Sequence, residues 1–224
     1  MDEIARHLKL DPKKTSVAIQ GFGNVGFSVT KHLYEHGYRI VALSDSKGAI
    51  YNSGGLVPEI VEECKLEKGM ISECYYRGSV VNDSKSEVIT NEELLELNVD
   101  VLVPAALENQ INEHNAEQVK AKVVLEMANG PTTAAAGRVL DERGIRVVPD
   151  IIANAGGVIA SYLEWLQNLE GKTFNDEEAT KQMEAKIRTA TQDMLAEAGR
   201  LKCDWRKAAY AIAVRRVVEA MNVR

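Results

Sequence analysis

The segment TSVAIQGFGNVG, at residues 15–26, places glycines with G-x-G-x-x-G spacing directly after a short apolar run in which Gln20 is the exception. A glycine-rich turn alone is weak evidence, because glycines also mark ordinary turns. This turn lies between a predicted strand, Val17–Ile19, and a predicted helix, Asn24–His36, and a second predicted strand, Ile40–Leu43, follows at once. Such a βαβ unit joins parallel strands through a crossover helix. The segment therefore predicts an α/β fold with a Rossmann-like, doubly wound, mostly parallel sheet.

The glycines of this turn match the requirements of a dinucleotide site. Gly21 permits a tight turn, Gly23 lets a pyrophosphate approach the backbone, and Gly26 lets the helix pack against the sheet. The free N–H groups at the start of the helix, at Asn24 and Val25, would face the phosphates. The turn is therefore predicted to bind a dinucleotide, and a nicotinamide cofactor is the default.

Asp45 ends the second predicted strand, about 20 residues after the last glycine of the turn. A carboxylate at this position can accept hydrogen bonds from the adenosine ribose hydroxyls, and it repels the 2′-phosphate of NADP. Ser44, Ser46 and Lys47 surround it with donors that could hold such a phosphate. The sequence thus favours NAD over NADP only slightly.

The rest of the first two thirds of the chain continues the α/β pattern. Further buried parallel strands are predicted at short β-branched runs, each followed by a turn: Val99–Val103, Val123–Glu126 and Ile145–Val148. The intervening segment Gly48–Glu96 is less regular, with a predicted helix at Leu56–Leu66 and an excursion or small hairpin at Tyr75–Asp83. These runs extend the sheet that the glycine turn begins.

After Pro149 the sequence predicts helices and no further strand. The predicted helices are Ala153–Leu169, Asp176–Leu201 and Asp204–Met221. We therefore divide the chain into an N-terminal lead-in helix (1–14), a dinucleotide-binding Rossmann core (15–152) and a helical C-terminal extension (153–224).

The loops after the later strands are candidates for the second half of a cofactor site. In open α/β sheets, ligands bind beyond the carboxyl ends of the strands, near the switch in strand order. Ala105 and Ala106 would let a cofactor lie close to the backbone, and Asn129 and Asn154 each offer a donor and an acceptor for a ribose hydroxyl or a carboxamide. Asn-Gly and Asn-Ala-Gly-Gly are also ordinary turn sequences, so the residues alone leave both interpretations open.

Composition excludes several other functions. The net charge is −6 without a basic run, so no nucleic-acid partner is expected. No window reaches about 18 apolar residues and no signal-peptide pattern is visible, so neither a membrane span nor export is expected, and we expect a cytoplasmic location. The cysteines, Cys64, Cys74 and Cys203, form no CxxC motif and are predicted to be reduced thiols. His32 and His36 lack a third ligand, so no metal site is predicted.

Several motifs together resemble a known family. In this order and spacing they are GFGNVG, SDSKGAIYNSGGL, LVPAALENQI, EMANGPTT and PDIIANAGGVIASYLEWLQN. They resemble the nucleotide-binding domain of the hexameric glutamate dehydrogenases, within the Glu/Leu/Phe/Val dehydrogenase superfamily, from about Ser16 to the end of the chain. The segment Ser161–Trp165 is the most discriminating, because leucine- and phenylalanine-type members share the preceding glycine loop but not this segment.

The resemblance implies a role for individual positions. The implied cofactor-binding residues are Gly21, Phe22, Gly23, Asn24, Val25, Gly26, Asp45, Ser46, Ala105, Ala106, Asn129 and Asn154. Val158 and Ser161 would lie on the substrate side, with Ser161 reaching toward the substrate side-chain carboxylate. The sequence departs from the commonest family pattern at Met127, where glycine is usual and where a larger side chain could crowd the loop before Asn129. It also departs at Ile159, where threonine or another residue often occurs.

The activity implied by the resemblance is the oxidative deamination of L-glutamate to 2-oxoglutarate and ammonia, and its reverse, with NAD or NADP. Family members carry the catalytic lysine, within a glycine-rich segment, on a separate N-terminal substrate domain, and no such segment occurs here. We therefore expect no catalytic residue in this chain, which would bind dinucleotide but turn over glutamate negligibly by itself. The full-length protein would be a homohexamer.

Two other functions remain open at this point. One is another amino-acid dehydrogenase of the leucine, valine or phenylalanine type, against which Ser161–Trp165 argues. The other is a non-catalytic module that senses a dinucleotide. The retained substrate-side Ser161 argues against a sensor, which has no use for a substrate wall.

Overall fold

The apolar run before the glycine turn forms a central strand of a seven-stranded sheet. In this computed structural model, which describes residues 1–76, 86–171 and 175–222, the strands are β1 (Ser16–Gln20), β2 (Arg39–Asp45), β3 (Gly48–Asn52), β4 (Ser86–Ile89), β5 (Val101–Pro104), β6 (Val123–Leu125) and β7 (Arg146–Val148). Their order across the sheet is β4-β3-β2-β1-β5-β6-β7. The pairs β1–β2, β1–β5 and β5–β6 are parallel. The prediction of a doubly wound, mostly parallel sheet is confirmed.

The edge of the sheet formed by β3 and β4 was not predicted. Here β2 pairs with β3, and β3 with β4, in antiparallel fashion. The β2–β3 connection is a two-residue turn at Ser46 and Lys47, with Asp45 opposite Gly48, whose φ of 148° is suited to glycine. Most of the hairpin predicted at Tyr75–Asp83 lies outside the described residues.

Helices alternate with most of the strands through the first part of the chain, and within the described residues only helices follow the last strand. They are α1 (Asp2–Leu8), α2 (Asn24–Glu35), α3 (Pro58–Lys68), α4 (Asn91–Leu95), α5 (Ala134–Glu142), α6 (Asp150–Ala153), α7 (Gly156–Glu170), α8 (Asp176–Leu201) and α9 (Trp205–Met221). Short 3₁₀ helices span Pro12–Lys14 and Ile71–Tyr76. Glycine in the left-handed region follows α2 at Gly37 and ends α3 at Gly69, as is common at helix C-termini.

One predicted helix is interrupted. The sequence predicts a continuous helix over Ala153–Leu169, but α6 ends at Ala153, with Asn154 as its C-cap, and α7 begins only at Gly156. Asparagine favours helix ends because its amide competes for backbone hydrogen bonds, and Gly156 and Gly157 raise the entropic cost of a continuous helix. The helix predicted at Asp176 is confirmed as α8, and Asn175 caps it by accepting a hydrogen bond from the Glu178 N–H.

The chain divides into two units by its internal contacts: Ala5–Val147, here the sheet unit, and Met1–Ile4 with Val148–Arg224, here the helical unit. A core cluster of the sheet unit joins one face of the central strands to α5, with Ala18, Leu102 and Val124 fully buried beside Leu140. Residues of the other face, such as Val17 and Ile19, are also buried. Burying a leucine-sized side chain stabilises a fold by about 1.5–3 kcal/mol. This core holds the carboxyl ends of β1 and β5 in fixed register.

The helical unit has a smaller core between α8 and α9. Met194, Ala198, Trp205 and Ala208 are buried there. At its edge, Glu197 accepts hydrogen bonds from Arg200, one turn further along α8, and from Arg215 on α9. No helix in the described ranges is long and apolar enough to cross a membrane.

The cysteine prediction is wrong for one pair. Cys64 on α3 and Cys74 in the following 3₁₀ helix form a disulfide, with their Cα atoms 5.7 Å apart and both residues fully buried. The chain reverses at Gly69, whose left-handed conformation ends α3 and returns Cys74 to Cys64. Cys203 lies outside the disulfide.

Candidate dinucleotide-binding site

The glycine turn connects the carboxyl end of β1 to the start of α2. Gly21 has a φ of 95°, which favours glycine, and Gly23 occupies the N-cap position of α2. Since glycine has no side chain, the first N–H groups of α2 receive no side-chain cap. Asn24 and Val25, which open the helix, are exposed. Free N–H groups at an exposed helix N-terminus are suited to an anion.

The space around each glycine shows whether the packing of the fold requires glycine at that position. A Cβ on Gly21 would lie 3.0 Å from Ala106, and a Cβ on Gly26 would overlap the carbonyl oxygen of Gly21. The fold itself therefore requires glycine at both positions. Around Gly23, no described atom lies within 4 Å of where a Cβ would be. Internal packing does not require Gly23, whereas the close approach of a pyrophosphate does, so the turn fits a dinucleotide.

The turn lies where the strand order of the sheet reverses. β1 has β2 on one side and β5 on the other, so the loops after β1 and β5 meet at one edge of the sheet. The Ala105 N–H donates a 2.8 Å hydrogen bond to the Gln20 carbonyl, and Gly21 packs against Ala105 and Ala106. The structure thus brings together the predicted phosphate turn and the small residues predicted to lie along the cofactor.

A pocket of about 260 Å³ opens beside this junction. It is lined by Val25, Ala105, Ala106, Leu107, Glu108, Met127, Ala128 and Asn129. The N–H groups of Met127 and Ala128 both donate to the Pro104 carbonyl, which holds the loop after β6 beside the loop after β5. Small-molecule pockets usually measure about 300–1,000 Å³, so this one suits a single ring system and not a whole dinucleotide. Met127 contributes to its wall.

Asp45 has more protein partners than the sequence indicated. Its side chain is 8% exposed; Oδ1 accepts from the Lys47 N–H at 2.8 Å, and Oδ2 accepts from the Ile71 N–H at 3.0 Å. The Lys65 ammonium lies 3.8 Å from Oδ2. A carboxylate has about four acceptor positions, so Asp45 can still accept a ribose hydroxyl. The positive charge of Lys65, however, partly offsets the negative charge of the carboxylate.

Lys65 lies beside the candidate site and is not predicted from the sequence. Its ammonium donates a 2.7 Å hydrogen bond to the Phe22 carbonyl and lies 5.7 Å from the centre of the Phe22 ring. It thereby links the glycine turn to Asp45. The sequence carries no signal for this role, because Lys65 is one of several charged residues on α3 and its approach depends on how that helix packs.

The neighbours of Asp45 are not equally available to a ligand. The sequence offers Ser44 as a phosphate donor, but it is fully buried and its hydroxyl accepts a hydrogen bond from the Gly21 N–H. Ser46 and Lys47 are exposed and line a separate cavity of about 430 Å³, which extends to Thr90. Ser44 supports the turn, and only Ser46 and Lys47 remain as candidate donors.

The remaining predicted residues belong to the helical unit. Asn154 is the C-cap of α6, and Val158 and Ser161 lie exposed on α7. One face of α7 carries an exposed apolar stripe with the spacing of successive helical turns: Val158, Tyr162, Trp165 and Leu169. The opposite side buries Leu163. Ser161 is three residues from Val158 and so lies beside this stripe.

A glycine turn at the reversal point of a mostly parallel sheet defines the class of doubly wound α/β proteins with a dinucleotide-type crevice. The family model described as glutamate/leucine/phenylalanine/valine dehydrogenase matches residues 1–224. The chain belongs to this family.

The curated relatives of the chain include enzymes named for either nicotinamide cofactor. A glutamate dehydrogenase from Thermotoga maritima is 47% identical over 218 residues, which covers 97% of this chain and 50% of the relative. An NADP-specific glutamate dehydrogenase from Synechocystis sp. is 43% identical over 95% of this chain and 50% of its own length. An NAD-specific glutamate dehydrogenase from Staphylococcus aureus is 39% identical over 100% of this chain and 52% of its own length.

A solved structure shows the same fold. A hetero-hexameric glutamate dehydrogenase from Thermus thermophilus, in a leucine-bound form, superposes with a TM-score of 0.86 at 32% identity, covering 100% of this chain and 50% of the other. The chain therefore spans about half the length of the relatives it matches.

Proposed function

We propose that this chain is the nicotinamide-dinucleotide-binding half of a glutamate dehydrogenase, which converts L-glutamate to 2-oxoglutarate and ammonia, and the reverse. The observation that carries this proposal is the open space at Gly23, in front of uncapped N–H groups of α2. Family membership, and the glutamate dehydrogenase names of relatives that match nearly the whole chain, support the choice of reaction.

Each part of the sheet unit then has a task in holding the cofactor. The N–H groups at Asn24 and Val25 bind the pyrophosphate, and Asp45 accepts from the adenosine ribose. The pocket wall at Ala105 and Ala106 shields one face of the ring from water, and Asn129, which lines the same pocket, would contact a ribose hydroxyl or the carboxamide through its amide. When bound, the nicotinamide ring supplies the acceptor for the hydride that leaves the α-carbon of glutamate.

The substrate side requires a second domain, as in relatives of twice this length. The apolar stripe on α7 is an exposed surface of the kind that is usually covered by a partner. We infer that the substrate domain covers it, and that Val158 and Ser161 then form part of the substrate wall. The catalytic lysine would come from that domain, and the full-length protein would assemble as a hexamer, for which the hexameric Thermus thermophilus neighbour is the support.

We infer a slight preference for NAD over NADP. Asp45 would repel a 2′-phosphate, but Lys65 lies 3.8 Å from its Oδ2 and Lys47 follows it closely in the chain. Opposite charges this close offset each other even near a protein surface. The preference should therefore be modest, of about tenfold or less.

Titration calorimetry of the purified chain with NADH and with NADPH tests the proposal, together with an absorbance assay for glutamate-dependent NAD reduction. We expect both cofactors to bind, NADH more tightly, and no measurable turnover, because catalysis requires both reactants held at near-attack distance. Absence of binding for both cofactors would contradict the assignment. Glutamate turnover by the isolated chain would contradict the division of labour between two domains.

A further inference from the structure

We propose that Gln20 and Gln110 are positioning residues, whose paired side-chain amides fix the wall of the pocket formed by residues 105–108 and 127–129. This inference rests on the proposed function, since it assigns that wall to the nicotinamide half of the cofactor. Neither glutamine lines the pocket itself. Their role would be to hold the residues that do.

Gln20 is an unusual residue for its position. It ends β1, directly before the glycine turn, and is 3% exposed among apolar neighbours. Its Nε2 donates a 2.8 Å hydrogen bond to Gln110 Oε1, while its own Oε1 is buried without a hydrogen-bond partner in the described part of the chain. A buried polar group with an unsatisfied atom costs free energy that an apolar side chain would avoid. Packing alone therefore does not explain why position 20 carries an amide.

The bond to Gln110 ties the core to the loop after β5. Gln110 Nε2 donates to the Glu108 carbonyl at 3.2 Å, and the Gln110 carbonyl accepts from Asn115 Nδ2 at 2.8 Å. The loop is thus held at its middle, immediately after the residues that line the pocket. Its other end is fixed at Ala105, which donates to the Gln20 carbonyl. Both ends of the pocket-lining segment are anchored to the same residue of β1.

The same loop also holds the second wall of the pocket. The Asn109 N–H donates to the Gly130 carbonyl and the Ile111 N–H to the Pro131 carbonyl, each at 2.9 Å. Asn109 adopts a left-handed φ of 55°, and its carbonyl accepts from Asn112 Nδ2. Gly130 directly follows Asn129, the amide proposed to meet the cofactor. A displacement of the loop at Gln110 would therefore move both walls.

Neutral amides suit this place for an electrostatic reason. Gln20 is adjacent to the turn proposed to hold a pyrophosphate, where a carboxylate would repel the ligand and an ammonium would compete for it. An amide offers both a donor and an acceptor and carries no charge. Because neither amide titrates, the Gln20–Gln110 bond should hold the pocket wall equally well at every pH at which the protein is folded.

The test compares Gln20→Met and Gln110→Met with a control, Gln118→Met, an exposed glutamine beyond this loop. Methionine keeps the length of the side chain and removes both polar atoms. Amide hydrogen exchange in the ligand-free protein reports the anchoring directly. We expect exchange at Asn109 and Ile111 to accelerate by about tenfold or more in both variants and to be unchanged in the control.

Calorimetry with NADH and with ADP then reports the consequence for the cofactor. Since ADP lacks the nicotinamide half, the substitutions should lower the affinity for NADH by about tenfold and the affinity for ADP by less than about twofold. Equal losses for NADH and ADP, or unchanged exchange at Asn109 and Ile111, would overturn the inference. A parent chain that bound neither NADH nor ADP would instead contradict the proposed function, and hydrogen exchange would still decide the anchoring.

Gln110→Met is included because Gln20 is buried and its variant could fail to fold. Gln110 is only partly buried, so its replacement leaves the core of the sheet intact. A Gln110→Met variant with parent-like exchange and a parent-like NADH-to-ADP affinity ratio is sufficient to reject the proposal.

Discussion

The backbone N–H of Ile71 donates a 3.0 Å hydrogen bond to Oδ2 of Asp45, across 26 residues of the chain. The carboxylate that we propose to bind the ribose is therefore part of a corner in which β2 meets the segment after α3. Lys65 completes this corner through its contacts with Asp45 and the Phe22 carbonyl. Cofactor choice should depend on this segment as much as on Asp45 itself.

Replacing Lys65 by glutamine should increase discrimination against NADP. Without the ammonium, the Asp45 carboxylate repels a 2′-phosphate more strongly. Loss of the hydrogen bond to the Phe22 carbonyl should lower the affinity for both cofactors. We expect the ratio of NADH to NADPH affinity to rise by about three- to tenfold. Calorimetry with both cofactors measures it, and Lys31→Gln, an exposed lysine on α2, is the control. An affinity ratio equal to that of the parent would contradict a role for Lys65 in cofactor specificity.

Removing the Cys64–Cys74 disulfide should destabilise the chain and weaken the same corner. The disulfide closes a short loop that contains both Lys65 and Ile71. The chain-entropy model gives about 2–3 kcal/mol of unfolding free energy for a loop of this size. Urea denaturation of the double variant Cys64→Ala/Cys74→Ala should show this loss, and calorimetry a weaker affinity for NADH. Cys203→Ala, outside the disulfide, should show neither; a double variant as stable as the parent would contradict the expectation.

The parallel part of the fold was predictable because its signals are local. β1, α2 and β2 are marked by apolar runs on either side of a glycine turn, and a parallel crossover follows from that order alone. The antiparallel β3 was missed because its turn, at Ser46 and Lys47, lacks the Asn-Gly or Asp-Gly signature typical of two-residue hairpins. Its pairing is visible only when Gly48 is seen opposite Asp45.

The same difference between local signals and long-range contacts applies to the candidate site. The spacing predicted where Gly21, Gly23 and Gly26 would lie in the turn, because that spacing is a local signal. The disulfide depends on the reversal at Gly69, and the contacts of Lys65 depend on how α3 packs. Neither is marked by a motif in the sequence. Gln20 did carry a signal, as the polar exception in an apolar strand, but its partner on a loop 90 residues away could not be identified from sequence.

Acid should weaken the helical unit through Glu197. Hydrogen bonds from Arg200, and then from Arg215, lower the pKa of this carboxyl from 4.5 to about 2. Because the folded pKa lies below the ordinary value, the stabilisation is fully present above pH 4.5 and is lost as pH falls toward 2. Glu197→Gln should lower the stability near neutral pH and flatten its decline below pH 4.5, as followed by thermal unfolding over a pH series. An exposed residue of α8, Glu184→Gln, is the control; parallel pH profiles for Glu197→Gln and the parent would contradict this role.

The most direct measurement is the affinity for NADH of the parent chain and of Gly23→Ala, each paired with its unfolding free energy. Gly23 has a φ of −92°, which alanine adopts freely, and no described atom lies within 4 Å of the added Cβ. Stability should therefore change by no more than about 1 kcal/mol, while NADH affinity should fall by about tenfold or more because the Cβ blocks the pyrophosphate. Gly137→Ala, an equally open glycine on α5, should leave affinity unchanged. Equal NADH affinity in Gly23→Ala and the parent, or no binding by the parent, would contradict the assignment of this turn to a dinucleotide.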